Sequence, residues 1–294
     1  MAEGFAGFRD VTAQGEAGEA FARVGGSGPP LLLIHGFPQT HMEWAKLAGP
    51  LAERFTVVAI DLRGYGRSAA PRSVGGALYS KREMARDARA MMAALGFSRF
   101  SVCGHDRGGR VAYRLALDAP EAVEKLAVLD IVPTAQMWAG MDAALAMTTY
   151  HWMFLAQPAP FPETLIAAAP DFFLDRTLAS WTGTGTLDCF PAPSLAAYRE
   201  ALTRPANIHA FCEDYRAGAS LDRAYDEADR AAGRKIEAPL LALWGGAGIP
   251  AKGRSPLPVW REWANDVRGE AIDCGHFLPE EAPAETLKAL LAFF

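Results

Sequence analysis

A short apolar run, Phe100-Ser101-Val102-Cys103, leads into Gly104-His105-Asp106-Arg107-Gly108-Gly109-Arg110, and a helix-forming stretch from Val111 to Ala119 follows and stops at Pro120. A strand that becomes a helix within so few residues pushes the central residue, Asp106, into strained dihedrals. Larger neighbours than glycine would clash with the strand and the helix. Alone, the same pattern also describes a helix N-terminus with an acidic residue near the positive end of its dipole, which needs no chemistry. The stretches on either side decide between the two.

Phe21 to Val24 reads as a strand closed by the turn-rich Gly25-Gly26-Ser27-Gly28-Pro29-Pro30. Leu31 to Ile34 is a continuous apolar run, as expected of a strand covered on both faces of a parallel sheet, and it ends in His35-Gly36-Phe37-Pro38. A helix is expected from Trp44 to Glu53, a strand from Thr56 to Ile60, and then the glycine-rich Asp61-Leu62-Arg63-Gly64-Tyr65-Gly66-Arg67-Ser68. Ser80 to Leu95 is helical in pattern and Gly96 stops it; Val123 to Val132 gives a strand with Asp130 near its end. From Pro133 to about Glu237 strand-like runs vanish, and aromatics, alanines and prolines alternate in short helical pieces. Strand rhythm resumes at Pro239 to Gly246 and at Ala271 to His276, and a helix from Ala282 to Phe294 closes the chain. Strands alternating with helices predict a mostly parallel sheet with helices on both faces. Ligands bind such sheets at the C-terminal ends of the strands, where His35, Asp61, Asp106, Asp130 and His276 all fall.

Composition excludes several function classes. A net charge of −5 without a basic cluster gives no sign of nucleic-acid binding, so an anionic ligand would need locally placed arginines. The four cysteines, Cys103, Cys189, Cys212 and Cys274, lie far apart without metal-ligand spacing and read as thiols of a reducing compartment. Residues 1–10 lack a basic start followed by an apolar run, and no apolar run approaches the ~20 residues of a membrane span. The expectation is a cytoplasmic protein with no membrane partner, no metal and no cofactor.

The order His-Gly-Phe-Pro, Asp-x-Arg-Gly-x-Gly-x-Ser, Gly-His-Asp-x-Gly-Gly and Cys-Gly-His resembles the α/β-hydrolase superfamily over nearly the whole chain. Aspartate at the elbow, where these hydrolases more often carry serine, points to the branch with haloalkane dehalogenases, epoxide hydrolases and haloacetate dehalogenases. The resemblance implies an α/β-hydrolase core over residues 1–132 and 238–294 and an inserted helical cap over 133–237. It also implies a homodimer.

A carboxylate can displace a leaving group from saturated carbon and form an ester that water then opens. Asp106 is the expected nucleophile, and His276 the expected base for the second step. Most relatives take the triad acid from the loop after the penultimate strand, but here Gly245-Gly246-Ala247-Gly248-Ile249-Pro250 has no acidic residue. Asp130 is the available substitute, orienting the His276 tautomer. By resemblance, the backbone N–H groups of Phe37 and Arg107 form the oxyanion hole.

Arg107 and Arg110, beside the nucleophile at a helix N-terminus, suit a short carboxylic acid held by guanidinium forks. Haloalkane dehalogenases and epoxide hydrolases tend to have an apolar residue where Arg107 stands. The stretches His151 to Pro158 and Phe211 to Arg216 look like the halide pocket of fluoroacetate dehalogenases, which assigns His151, Trp152 and Tyr215 as halide donors; Trp181 is a further lining candidate. Plainer alternatives stand beside each assignment. Asp130 could cap a strand end, His276 could be structural, the cap aromatics could be packing, and either arginine could pair with a core acid.

The expected function is therefore haloacetate dehalogenation, releasing halide and glycolate from a small anionic substrate and water. An epoxide hydrolase with the same Asp106 is the alternative enzyme, although it would want two cap tyrosines and only Tyr215 is well placed. A non-catalytic small-molecule receptor on the same fold is the alternative of another class.

Overall fold

The computed structural model describes residues 4–248 and 255–294; Ile249 and Pro250, at the end of the acid-free loop named above, lie outside them. The chain opens with β1 (Arg9–Gly15), β2 (Gly18–Gly25) and β3 (Pro30–Ile34), then a short 3-10 turn (His41–Trp44) running into α1 (Ala45–Ala52). There follow β4 (Thr56–Ile60), α2 (Lys81–Ala94), β5 (Phe100–His105), α3 (Asp106–Asp118) and β6 (Val123–Leu129). Among the described residues, only helices lie between β6 and the next strand: α4 (Thr134–Ala139), α5 (Ala143–Thr148), α6 (Tyr150–Leu155), α7 (Phe161–Ala168), α8 (Pro170–Trp181), α9 (Ala192–Leu202), α10 (Pro205–Ala219) and α11 (Leu221–Ala231). The chain ends with β7 (Leu240–Gly245), α12 (Leu257–Trp263), β8 (Val267–Ile272), α13 (Leu278–Glu281) and α14 (Pro283–Phe293).

The strands form one sheet in the order β1-β2-β4-β3-β5-β6-β7-β8. β2 is antiparallel to β1 and β4, and every pairing from β4 to β8 is parallel. The central strands are buried almost throughout, which is why they read as unbroken apolar runs. α3 packs against β5, β6 and β3 as the central helix and is buried from Asp106 to Leu117. α2 starts on Ser80, whose hydroxyl accepts the Glu83 N–H, and stops before Gly96 at φ +85°.

Three departures from the sequence reading are informative. The last strand spans Val267–Ile272, not Ala271 to His276; Asp273 to Gly275 form the loop that carries His276 off the sheet end. The edge strand β1 and the helix α12 were not anticipated. The elbow helix begins at Asp106 itself, five residues before Val111. Among the described residues, no helix is long and apolar enough to cross a membrane.

Candidate active site

β5 and α3 meet at Asp106, which sits in the left-handed region at φ +43°. Two glycines permit the turn. A Cβ on Gly104 would lie 2.4 Å from the Gly108 carbonyl oxygen, and one on Gly108 would lie 2.3 Å from the carbonyl oxygens of Ile34 and His35. The Asp106 carboxylate projects at the start of α3, and its Oδ2 accepts the Phe37 N–H at 3.0 Å. Burial alone would raise this carboxyl, but His276, His105, Arg107 and Arg110 outweigh it and hold it below the ordinary carboxylate value.

Asp130 follows β6 directly and shares the left-handed conformation, at φ +52°. Its Oδ1 accepts the Gly245 N–H at 2.9 Å, and its Oδ2 lies 2.6 Å from His276 Nδ1. A carboxylate only accepts, so the neutral ring carries its proton on Nδ1 and leaves Nε2 free to accept one. The His276 N–H donates to the Trp181 carbonyl at 2.9 Å, and the His276 carbonyl accepts from His105 Nε2 at 2.9 Å. On its other side His105 Nδ1 lies 3.1 Å from Glu43 Oε1, while Glu43 Oε2 accepts the Gly36 N–H at 2.8 Å. Burial disfavours a charged His105, yet Glu43 above all raises it to about 9, so a cation lies directly beneath the elbow at neutral pH. The other strand-end candidates are occupied elsewhere. His35 Nε2 accepts the Leu62 N–H, and Asp61 accepts the N–H groups of His41 and Arg67.

Asp106, Arg110, Asp130, Met137, His151, Trp152, Trp181 and His276 line one small cavity, which offers ≈ 20 Å³ to the centre of a water-sized molecule. By that measure it has room for about one water, so only a very small ligand fits between these walls. His151 is buried, and burial lowers it to about 3, so its ring is neutral at physiological pH. Its ring centroid is 4.4 Å from that of Trp181 and 5.6 Å from that of Tyr215. Tyr215 does not line the cavity wall, but its ring also stands 5.2 Å from Phe37 and 6.1 Å from Trp152.

The two arginines are not equivalent. Arg107 is fully buried and does not line the cavity; Nε donates to both oxygens of Asp214 at 3.1 and 3.2 Å, and Nη2 donates to the Asp214 carbonyl at 2.8 Å. Here the plainer alternative, pairing with a core acid, is realised. Arg110 lines the cavity, donates from Nη1 to the Val132 carbonyl at 2.9 Å, and lies 4.6 Å from the Trp152 ring centroid. Among the groups near Asp106, the buried Arg107 Nη1, Arg110 Nε, His151 Nδ1 and Tyr215 Oη have no hydrogen-bond partner on the protein. Among the described residues, no His, Cys, Asp and Glu cluster could hold a metal.

The sequence matches the α/β hydrolase fold family over residues 29–283. The chain belongs to that family. It is 45% identical over 273 residues to a fluoroacetate dehalogenase of Burkholderia sp, spanning 92% of this chain and 88% of that protein. It is 35% identical over 271 residues to a soluble epoxide hydrolase of Corynebacterium sp. (strain C12), spanning 92% and 91%. The crystal structure of ALR0039 from Nostoc sp PCC 7120 superposes with a TM-score of 0.95 at 48% identity, over 98% of each chain.

Two residues of this α/β hydrolase's site escaped the sequence reading. Met137 forms part of the cavity wall, and nothing in its local pattern distinguishes it from a core methionine of α4. Asp214 grips Arg107 across 107 positions of chain. Its only local signal is its place beside Tyr215 in a run already singled out.

Proposed function

We propose that the protein hydrolyses a small haloacetate, with fluoroacetate and chloroacetate the candidate substrates, to glycolate and halide. The observation that carries this reading is a cavity of ≈ 20 Å³ at Asp106 whose wall includes Arg110 and His151, each with an unpartnered buried nitrogen, with the unpartnered Arg107 Nη1 and Tyr215 Oη buried behind that wall. Such a space is too small for a bulky substrate, and buried donors without partners are costly unless a ligand satisfies them.

Asp106, held ionised by its cationic surroundings, attacks the α-carbon while the substrate carboxylate takes donors from Arg110 Nε and Arg107 Nη1. The carbon–halogen bond breaks as the carbon–oxygen bond forms, and the halide leaves with the electron pair toward His151, Trp152 and Tyr215. Fluoride is a poor leaving group but a strong acceptor when dry. Several N–H and O–H donors in a closed pocket could lower its barrier by several kcal/mol, judging from ~3 kcal/mol for one oxyanion-hole donor. In the second step His276 Nε2 takes a proton from water, and the hydroxide attacks the carbonyl carbon of the Asp106 ester. Asp130 stabilises the imidazolium that forms. The Phe37 N–H, already on Asp106 Oδ2, is placed to receive the oxyanion, with the free N–H of Arg107 in the first turn of α3 as its second donor. Collapse releases glycolate and regenerates the carboxylate, with one oxygen exchanged.

The direct test is halide release across fluoro-, chloro- and bromoacetate, with a neutral haloalkane as control. Turnover of the neutral compound without any release from the acids would sink this reading. Mass spectrometry of His276→Asn after haloacetate should show an ester adduct on Asp106. The 35% identity to a soluble epoxide hydrolase favours a second reading, in which His151 and Tyr215 polarise an epoxide oxygen above Asp106. Diol formation from a neutral epoxide would select it.

A further inference from the structure

Arg107 is enclosed by one face of α10. Asp214 binds Nε and Nη2, the Tyr215 ring centroid lies 4.3 Å from the guanidinium carbon, and a Cβ on Gly218 would come 3.1 Å from Nη2. Asp214 is itself gripped from the core side. The Tyr65 hydroxyl donates to its Oδ2 at 2.8 Å, and the buried Lys81 ammonium pairs with its Oδ1. The Lys81 backbone N–H and ammonium are in turn tied to Asp222, at 2.7 and 3.8 Å. Four of the five N–H bonds of a guanidinium lie on Nη1 and Nη2, and here Nε and Nη2 are committed to Asp214 while Nη1 has no partner.

We propose that Asp214, held by Lys81 and Tyr65, is a positioning residue that fixes Arg107 so that only Nη1 is presented to a bound carboxylate. The claim rests on the dehalogenase reading only in taking the ligand to be a small carboxylate. Arg107 is then an oriented donor whose charge is already shared, and Arg110 is the principal cationic partner of the anion. Released from Asp214, a long arginine would sample other rotamers and lose the direction of Nη1.

The test is equilibrium binding of acetate and of bromide, read by the fluorescence of Trp152 and Trp181, which line the cavity. Bromide needs the halide donors but neither arginine. Asp214→Asn keeps the side chain's shape and removes its charge. It should weaken acetate roughly tenfold, as expected for loss of one charge-assisted hydrogen bond, and leave bromide within about twofold. Tyr65→Phe deletes a hydrogen bond and no charge; it should weaken acetate about threefold and decides the matter if Asp214→Asn does not fold. Acetate affinity that is unchanged or stronger in a folded variant overturns the proposal. So does equal loss of acetate and bromide, which a general disturbance of packing would give, or a wild type that binds no acetate. Loss of acetate alone, in a protein that frees no halide from haloacetates, would uphold the positioning role while removing the dehalogenase reading.

Discussion

His276 Nδ1 and Asp130 Oδ2 lie 2.6 Å apart, and the second oxygen of that carboxylate is fixed by the Gly245 N–H. Both oxygens of Asp130 are therefore fixed, which fits the proposed role of orienting the imidazole. Asp130→Asn should leave the fold intact and lower kcat roughly 10³–10⁴-fold, because an amide no longer enforces the Nδ1–H tautomer. On the proposed mechanism Asp130 serves the second step, so the ester on Asp106 should accumulate and appear in the intact mass. A variant that keeps kcat within about tenfold would remove Asp130 from the mechanism.

His105 predicts a basic limit to stability. Its folded pKa of about 9 exceeds the ~6.5 of an unfolded histidine. The group binds more protons in the folded state, so its contribution is complete below pH ~6.5 and is lost as pH rises through about 9. The loss is of the order of 3 kcal/mol. Melting temperatures from pH 6.5 to 10 should fall in the wild type. Glu43→Gln should start lower and converge on the wild type at the basic end. His151, lowered to about 3 by burial, works with the opposite sign: its contribution is present above an unfolded histidine's pKa and fades on acidification towards 3.

Arg110 lines the cavity and Arg107 does not, so the two should be unequal toward substrate charge. Arg110→Gln should raise KM for a haloacetate by roughly 10- to 100-fold, the worth of one charge-assisted hydrogen bond. A smaller effect on a neutral haloacetamide would show that charge is what was lost. Equal effects on both compounds would mean that Arg110 acts by packing on Trp152.

Met137 should set the size of acid admitted. Met137→Ala opens the wall beside Asp106 at a stability cost of about 2–5 kcal/mol. The ratio of kcat/KM for α-chloropropionate over chloroacetate should rise. An unchanged ratio with retained fold would move the size filter to Trp181 or to the halide side.

The fold was legible where burial is symmetric. β3, β4, β5 and β7 lie inside the sheet, and their apolar runs follow from being covered on both faces. β1 and β8 are edge strands whose exposed positions break the run, as Val267-Arg268-Gly269-Glu270 does, so one was missed and the other displaced towards Ala271. At the site, sequence order was enough to bring Asp106, Asp130 and His276 to one end of the sheet, because each follows a strand or the loop after one. The different placement of Arg107, paired with a core acid, and Arg110, on the cavity wall, was not legible. It depends on Asp214, which reaches Arg107 only after α10 is laid across the elbow.

The backbone of His276 is fastened to the helical segment through the Trp181 carbonyl, at the last residue of α8. Any displacement of α8 would therefore pull on the peptide that carries the imidazole, so the ring and the helix keep one registration.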